Sequence, residues 1–284
     1  ALPEERKKYE FDVRYRVFPG CIGRYKFGSQ LTSCVEIEEL VVGNKTLSID
    51  DYLKCRVLDF LVKLYIDGDS FFEVFGVVKW LNLSAIDLLT YLRDHELAGN
   101  PGFKSIIDSY VEHSRSVLFD SPEELTEYFQ NHVEDYLSSE LGFNEMLTHI
   151  AMAVSTARRE THAILKDSAI QYLRKEGALT SHLESYIEQA VDFASNRKLD
   201  VNQIDSVKTG VYDFDFVEGR KFGYKKDPVE LSTRGVRFKF IHSNTSKMFI
   251  NKAIGHWGDE SYPKLGKLLQ KNNLFLLDRE VVLL

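Results

Sequence analysis

VEIEELVVGNKTLSIDDYLKCRVLDFLVKL, Val35 to Leu64, is the stretch on which the fold turns. Val35 and Ile37 alternate with acids, and Leu40 to Val42 continue apolar, which reads as a strand that closes in a tight turn at Gly43-Asn44. Ser48 then precedes Ile49-Asp50-Asp51. Its hydroxyl can accept from the free amides of a first helical turn while Asp51 reaches back, a variant of the capping box. Ile49, Leu53, Val57, Phe60, Leu61 and Leu64 recur at helical spacing and share one face. Asp67-Gly68 breaks the pattern.

Toward the N-terminus, Phe11, Val13 and Tyr15 alternate with Asp12, Arg14 and Arg16, the period of a strand. Between the strands, PGCIGRYKFGS (Pro19 to Ser29) reads as turns because of its glycines. Two strands bury little by themselves. Residues 1–47 are therefore expected to be a short extended segment that pairs with something in a longer parent or packs on helices. ALPEERKKYE is charged and is no signal peptide. It starts without Met, which reads as a cut from a longer protein or a processed end.

Toward the C-terminus, residues 48–200 are expected to be helical. A helix covers about 71–81. Another starts at Ser84 with Asp87 behind it and buries Ile86, Leu89 and Leu92. Asn100-Pro101-Gly102 stops it, and a further helix runs from Phe103 to Phe119 through Ile106, Ile107, Tyr110 and Leu118. Ser121-Pro122-Glu123-Glu124 is the clearest helix start; that helix carries Leu125, Tyr128, Phe129, His132 and Tyr136. A long pattern from Asn144 to about Lys175, between Gly142 and Gly177, has a polar middle (Ser155 to Thr161) that permits a bend. A last helix spans about 180–197. Residues 201–284 change character: strands at Val211 to Val217 and Val236 to Ile241, a helix capped by Ser243 or Asn244 as far as Trp257, another at about 263–271, and a strand–turn–strand or single bent strand in Leu274 to Leu284. The expected fold is mainly α: a helical domain, a smaller α+β C-terminal unit and a short extended N-terminal segment.

Composition narrows the function. The chain has 284 residues, long for one core. With 44% apolar and 28% charged residues it is an ordinary globular protein. Its apolar runs are too short to span a membrane. A net charge of −7 argues against a nucleic-acid surface. The one basic cluster, RKFGYKK (Arg220 to Lys226), flanked by Asp213, Asp215, Glu218 and Asp227, reads as a solvated hairpin. Three cysteines, Cys21, Cys34 and Cys55, are odd in number and widely spaced, which fits a reducing cytoplasm and neither a disulfide framework nor a metal motif.

The common catalytic signatures are missing: no G-x-S-x-G, no phosphate loop, no Rossmann glycines, no H-E-x-x-H. GHWGD near Gly255 reads as a helix end. DHELAG (Asp94 to Gly99) has the wrong spacing for the cobalamin pattern Asp-x-His-x-x-Gly and also reads as a helix end. Glu145 and His149 share a helix face. A metal held by these two and His162 is conceivable, but an ordinary ion pair between them is favoured. For Arg158-Arg159 a surface salt bridge is favoured over phosphate binding.

Several segments resemble, in order, the C-terminal region of cobalamin-binding radical S-adenosylmethionine proteins: Glu38 to Tyr65 (EELVVGNKTLSIDDYLKCRVLDFLVKLY), Val117 to Phe129 (VLFDSPEELTEYF), Leu141 to Leu147 (LGFNEML), Tyr212 to Lys225 (YDFDFVEGRKFGYK), and Val236 to Asn273. The resemblance implies a parent with a cobalamin domain and a partial barrel, the barrel holding a four-iron cluster through Cys-x-x-x-Cys-x-x-Cys and cleaving S-adenosylmethionine. Cys21, Cys34 and Cys55 do not match that triad, and the cobalamin histidine motif is lacking. No catalytic, cofactor-binding or metal residue is therefore assigned, and no cofactor is expected on this chain. Its partners would be the parent's barrel and cobalamin domains. The expected role is an accessory domain that caps the barrel and helps select substrate. Tyr52, Arg56, Asn144 and Lys267 are the candidate substrate contacts, because they lie in the matching segments and are polar or amphipathic. Two alternatives stand beside it: an independent helical interaction module, and a stand-alone ligand- or metal-binding protein.

Overall fold

The computed structural model describes residues 3–138, 142–224, 226–258, 261–271 and 277–284. In chain order the elements are α1 (Pro3–Tyr9), β1 (Asp12–Phe27), β2 (Gln30–Gly43), α2 (Ile49–Tyr65), α3 (Phe72–Trp80), α4 (Ala85–Tyr91), α5 (Pro101–Ser116), α6 (Pro122–Asn131), α7 (Val133–Ser138), α8 (Glu145–Ser155), α9 (Arg158–Lys175), α10 (Ser181–Arg197), β3 (Lys208–Phe214), α11 (Phe216–Lys221), β4 (Ser232–Ile241), α12 (Asn244–Trp257), α13 (Tyr262–Lys271) and β5 (Glu280–Leu283).

The mainly-α expectation is corrected to a mixed, predominantly helical fold: 61% helix and 20% strand, with two small antiparallel sheets. The N-terminal segment is no short extension. β1 and β2, of 16 and 14 residues, form a long antiparallel ribbon. PGCIGRYKFGS is mostly strand, because Val17 pairs with Ile37 and Ile22 with Val35, so that four residues (Phe18 to Cys21) stand opposite Glu36. A bulge tolerates Pro19, which has no amide to give a ladder, and Gly20 at φ +81°. The reversal itself is only Gly28-Ser29, with Gly28 at φ +62°.

Local chemistry fixes most helix ends. Ser48 Oγ accepts from the Asp51 amide at 3.1 Å and Asp51 returns to the Ser48 amide at 3.3 Å, the box read from sequence. Ser121 caps α6, but Glu124 reaches back to the amide of Asp120 rather than to that of Ser121. Asn100 caps α5 with Pro101 in its first turn, so Asn100-Pro101-Gly102 both stops one helix and starts the next. The bend expected in Ser155 to Thr161 is a full break between α8 and α9. Leu89 of α4 and Leu92 just after it are buried, but Ile86 of α4 is 45% exposed. Arg220 and Lys221 end the short α11 rather than forming a hairpin. Lys225, Leu141 and residues 272–276, which include the first part of the Leu274 to Leu284 strand reading, lie outside the described residues; β5 accounts for the rest.

The main core runs without interruption from Val57 through α2–α5 and α8–α10 to Phe238 and Phe240 of β4. The sheet β3-β4-β5 lies on α10, where Phe193 meets Tyr212, Phe216, Phe238 and Phe240 at centroid distances of 4.9–5.6 Å. A second cluster packs Val17 of β1 against Leu125, Phe129 and Tyr136 of α6 and α7. Covering one ribbon face with helices is what lets two strands persist. A buried ionic knot ties α10 to the C-terminal strand: Asp278 accepts from Arg197 at 2.7 Å and from Lys198 at 3.0 Å, and Arg279 donates to the carbonyls of Lys198 (2.6 Å) and Gln203 (3.1 Å). Among the described residues no helix is long and apolar enough to cross a membrane.

Candidate functional site

The β1 bulge is one wall of a cleft of about 500 Å³. Phe18, Pro19 and Gly20 face Gly142 to Asn144, Leu147 at the start of α8, and Pro263 and Lys267 of α13 across it. Two glycines make these walls possible. A Cβ on Gly142 would stand 2.6 Å from the Tyr136 carbonyl oxygen and 2.8 Å from Ile22. A Cβ on Gly266 would stand 2.4 Å from the Leu147 carbonyl oxygen, so α13 lies directly on the α8 backbone there. Gly266→Ala is expected to lever α13 off α8, widen the cleft and cost about 2 kcal/mol. Urea unfolding checks this; an unchanged midpoint would mean that the close approach is not what seats α13.

Behind Arg16, which lines the cleft, charge is arranged around Glu145, which is 3% exposed. Its Oε1 accepts from Arg16 of β1 at 2.7 Å and from Arg56 of α2. Arg16 also donates to Glu38 of β2 at 2.5 Å. Burial works against the Arg16 guanidinium, but Glu145 and Glu38 outweigh it, and its pKa lies above the ordinary value. Arg56 stacks over Tyr110 at 5.6 Å. His149 does not pair with the Glu145 carboxylate, contrary to the expectation. Its Nδ1 donates to the Glu145 carbonyl at 2.7 Å, and the carbonyl can only accept, so Nε2 accepts from Ser109 Oγ at 3.2 Å. Burial lowers its pKa. His162 lies elsewhere, bonded to Ser195 at 2.8 Å. Arg158 is not a surface residue either: it reaches Asp200 at 3.3 Å and the Leu199 carbonyl at 2.6 Å with 17% of its side chain exposed.

The four residues nominated from sequence fall in this neighbourhood. Asn144 and Lys267 line the cleft. Asn144 spends its Oδ1 capping α8, on the Leu147 amide at 3.1 Å. Lys267 Nζ is 5.8 Å from the Phe143 ring centroid. Arg56 lies one ion pair behind the wall, through Glu145 to Arg16. Tyr52 is half-buried and close enough to Arg16 for its phenol to act on the guanidinium charge. Sequence reasoning missed Arg16, Glu38 and Glu145 as a unit. The alternation of Arg14 and Arg16 with apolar residues was visible, but the partner of Arg16 lies 129 residues away.

The cleft can hold a ligand with an apolar body against Phe18, Phe143 and Pro263 and a polar or acidic group toward Lys267. The residues present do not fit an iron–sulfur cluster. Cys21 is half-buried on β1, and Cys34 and Cys55 are exposed on β2 and α2. No group of three His, Cys, Asp or Glu side chains that could hold a metal occurs among the described residues. No protein-family model matches the chain, and no curated protein matches it in sequence.

Proposed function

We propose that the chain is the C-terminal accessory domain of a cobalamin-binding radical S-adenosylmethionine enzyme. In this reading it works in the cytoplasm, docks on the parent's barrel and cobalamin domains, and encloses and helps select the substrate, while the iron–sulfur cluster, S-adenosylmethionine and cobalamin are held by the parent. One observation carries the reading. Tyr52, Arg56, Asn144 and Lys267, drawn from three separate matching segments, lie on or directly behind one cleft. A reactive intermediate needs such a wall, since closure keeps out water and quenchers. The exposed apolar residues of the ribbon end, Tyr25, Phe27 and Leu31 at 53–68%, favour docking through residues 1–47.

The test is to produce the chain fused to, or together with, the missing barrel. Removing the chain is expected to abolish coupled turnover and to raise cleavage of S-adenosylmethionine without product. Lys267→Ala is expected to lower kcat/KM for the substrate about tenfold with little effect on folding, because Lys267 is half-buried at the rim. Turnover and substrate preference that stay the same without the chain would reject the proposal.

A further inference from the structure

A second cavity, of about 90 Å³ and partly open to solvent, is lined by α2, the segment before α3, α8, α9, α13 and the segments flanking α10 and β5. Most of its wall is apolar: Tyr65, Phe71, Val154 and Leu277. Its polar lining is unbalanced. Lys63, Arg158 and Lys198 reach it, against one acid in the wall, Asp278; Lys63 and Arg158 have their acids outside it, Asp67 at 3.1 Å and Asp200 at 3.3 Å. That acid is already shared, because the same Oδ2 accepts from both Arg197 and Lys198. We propose that this cavity is a binding site for a short-chain monocarboxylate, its tail among the apolar side chains and its carboxylate between Lys198, Arg158 and His162.

Three physical points carry this. The first is charge. His162 in the cavity wall is pushed down to about 3 by burial first and then by Arg158, Lys198 and Lys208, and burial lowers Lys198 as well. The charged groups acting on the His162 ring are all cations, so the potential there is positive; an anion relieves it and a cation worsens it. The second is a free polar position. His162 uses Nδ1 on Ser195 at 2.8 Å, and its Nε2 makes no hydrogen bond among the described residues. With Ser195 donating to Nδ1, Nε2–H is a donor for a carboxylate oxygen. The third is size. An apolar cavity of about 150 Å³ takes benzene, so a smaller one suits a chain of about three to five carbons. A bare inorganic anion would leave the apolar wall unfilled. The inference is independent of the function proposed above.

Thermal unfolding and NMR titration of the His162 ring on the 284-residue chain test it, with acetate, butyrate, octanoate, butan-1-ol, butylamine and inorganic phosphate as probes. Butyrate is expected to raise Tm saturably, by roughly 3 °C, and to move the His162 titration upward. Acetate is expected to do so more weakly, and octanoate, butan-1-ol, butylamine and phosphate not at all. Val154→Phe fills the cavity and is expected to abolish both responses. Lys198→Met, in which Asp278 keeps Arg197, is expected to weaken binding about tenfold. The proposal is overturned if butan-1-ol or phosphate matches butyrate, if butyrate gives no saturable shift, or if the response survives both variants.

Discussion

Glu145→Ala is expected to lower the unfolding free energy by about 3 kcal/mol. Glu145 is the common acceptor of Arg16 and Arg56, and its removal strands two guanidinium groups that are 13% and 18% exposed. Removing one partner of a buried pair costs about 3–5 kcal/mol, because the remaining charge stays desolvated. The lower end applies here, since both arginines keep some water and Arg16 keeps Glu38 at 2.5 Å. Glu145→Gln retains the shape and an acceptor oxygen and is expected to cost less. The ribbon should loosen together with the cleft, because Arg16 is its charged tie to α8. Faster proteolysis around Gly28 would accompany the loss of stability. A urea midpoint that drops with an unchanged m-value reads the stability directly. A cost below about 1 kcal/mol would put the two pairs in the class of surface bridges and remove the charge cluster as the support of the cleft.

Why this cluster escaped the sequence while the helix starts did not is a matter of range. Ser48 and Ser121 were legible because a cap is a bargain among four or five consecutive residues. Glu145 looked like half of a local pair with His149, because only the i,i+4 neighbour is visible in one dimension; its true partners come from β1 and α2. Pro19-Gly20 carried a correct signal, an interruption of regular backbone, but a bulge and a turn have the same composition. Only the pairing of Val17 with Ile37 and Ile22 with Val35 separates them. Ile86 fitted the helical period yet faces outward, since periodicity names a face and not what covers it. The core passes residue 200 without a seam because Phe193 on α10 is packed by rings from β3, β4 and α11, contacts that no linker composition announces. The cleft itself was legible only as residue types, and its walls depend on Gly142 and Gly266, whose close backbone approaches exist only in three dimensions.

Acid should destabilise this protein well before its carboxylates are neutralised. His162 is held down to about 3 by burial, Arg158, Lys198 and Lys208. His242 is held down to about 4 by burial, then Arg279 and Lys247, with Asp278 and Glu280 pulling the other way; it is 4% exposed and neither ring nitrogen has a hydrogen-bond partner among the described residues. Burial lowers His149 as well. In the unfolded chain these rings protonate near the ordinary value of about 6.5. Between that value and their folded values the unfolded state binds more protons, so stability rises with pH across the window and is lost as pH falls from about 6.5 toward about 3. Each fully differential histidine contributes a slope near 1.4 kcal/mol per pH unit. His162 and His242 together are expected to remove about 3 kcal/mol by pH 5, after allowance for residual solvent around His162. Paired urea titrations at pH 7 and pH 5 measure this in the native chain and in a His162→Gln, His242→Gln double variant. The variant is expected to start less stable at pH 7, since Ser195 loses its ring partner, but to lose much less between the two pH values. Equal losses in both proteins would show that the two imidazoles are not the source of the acid sensitivity.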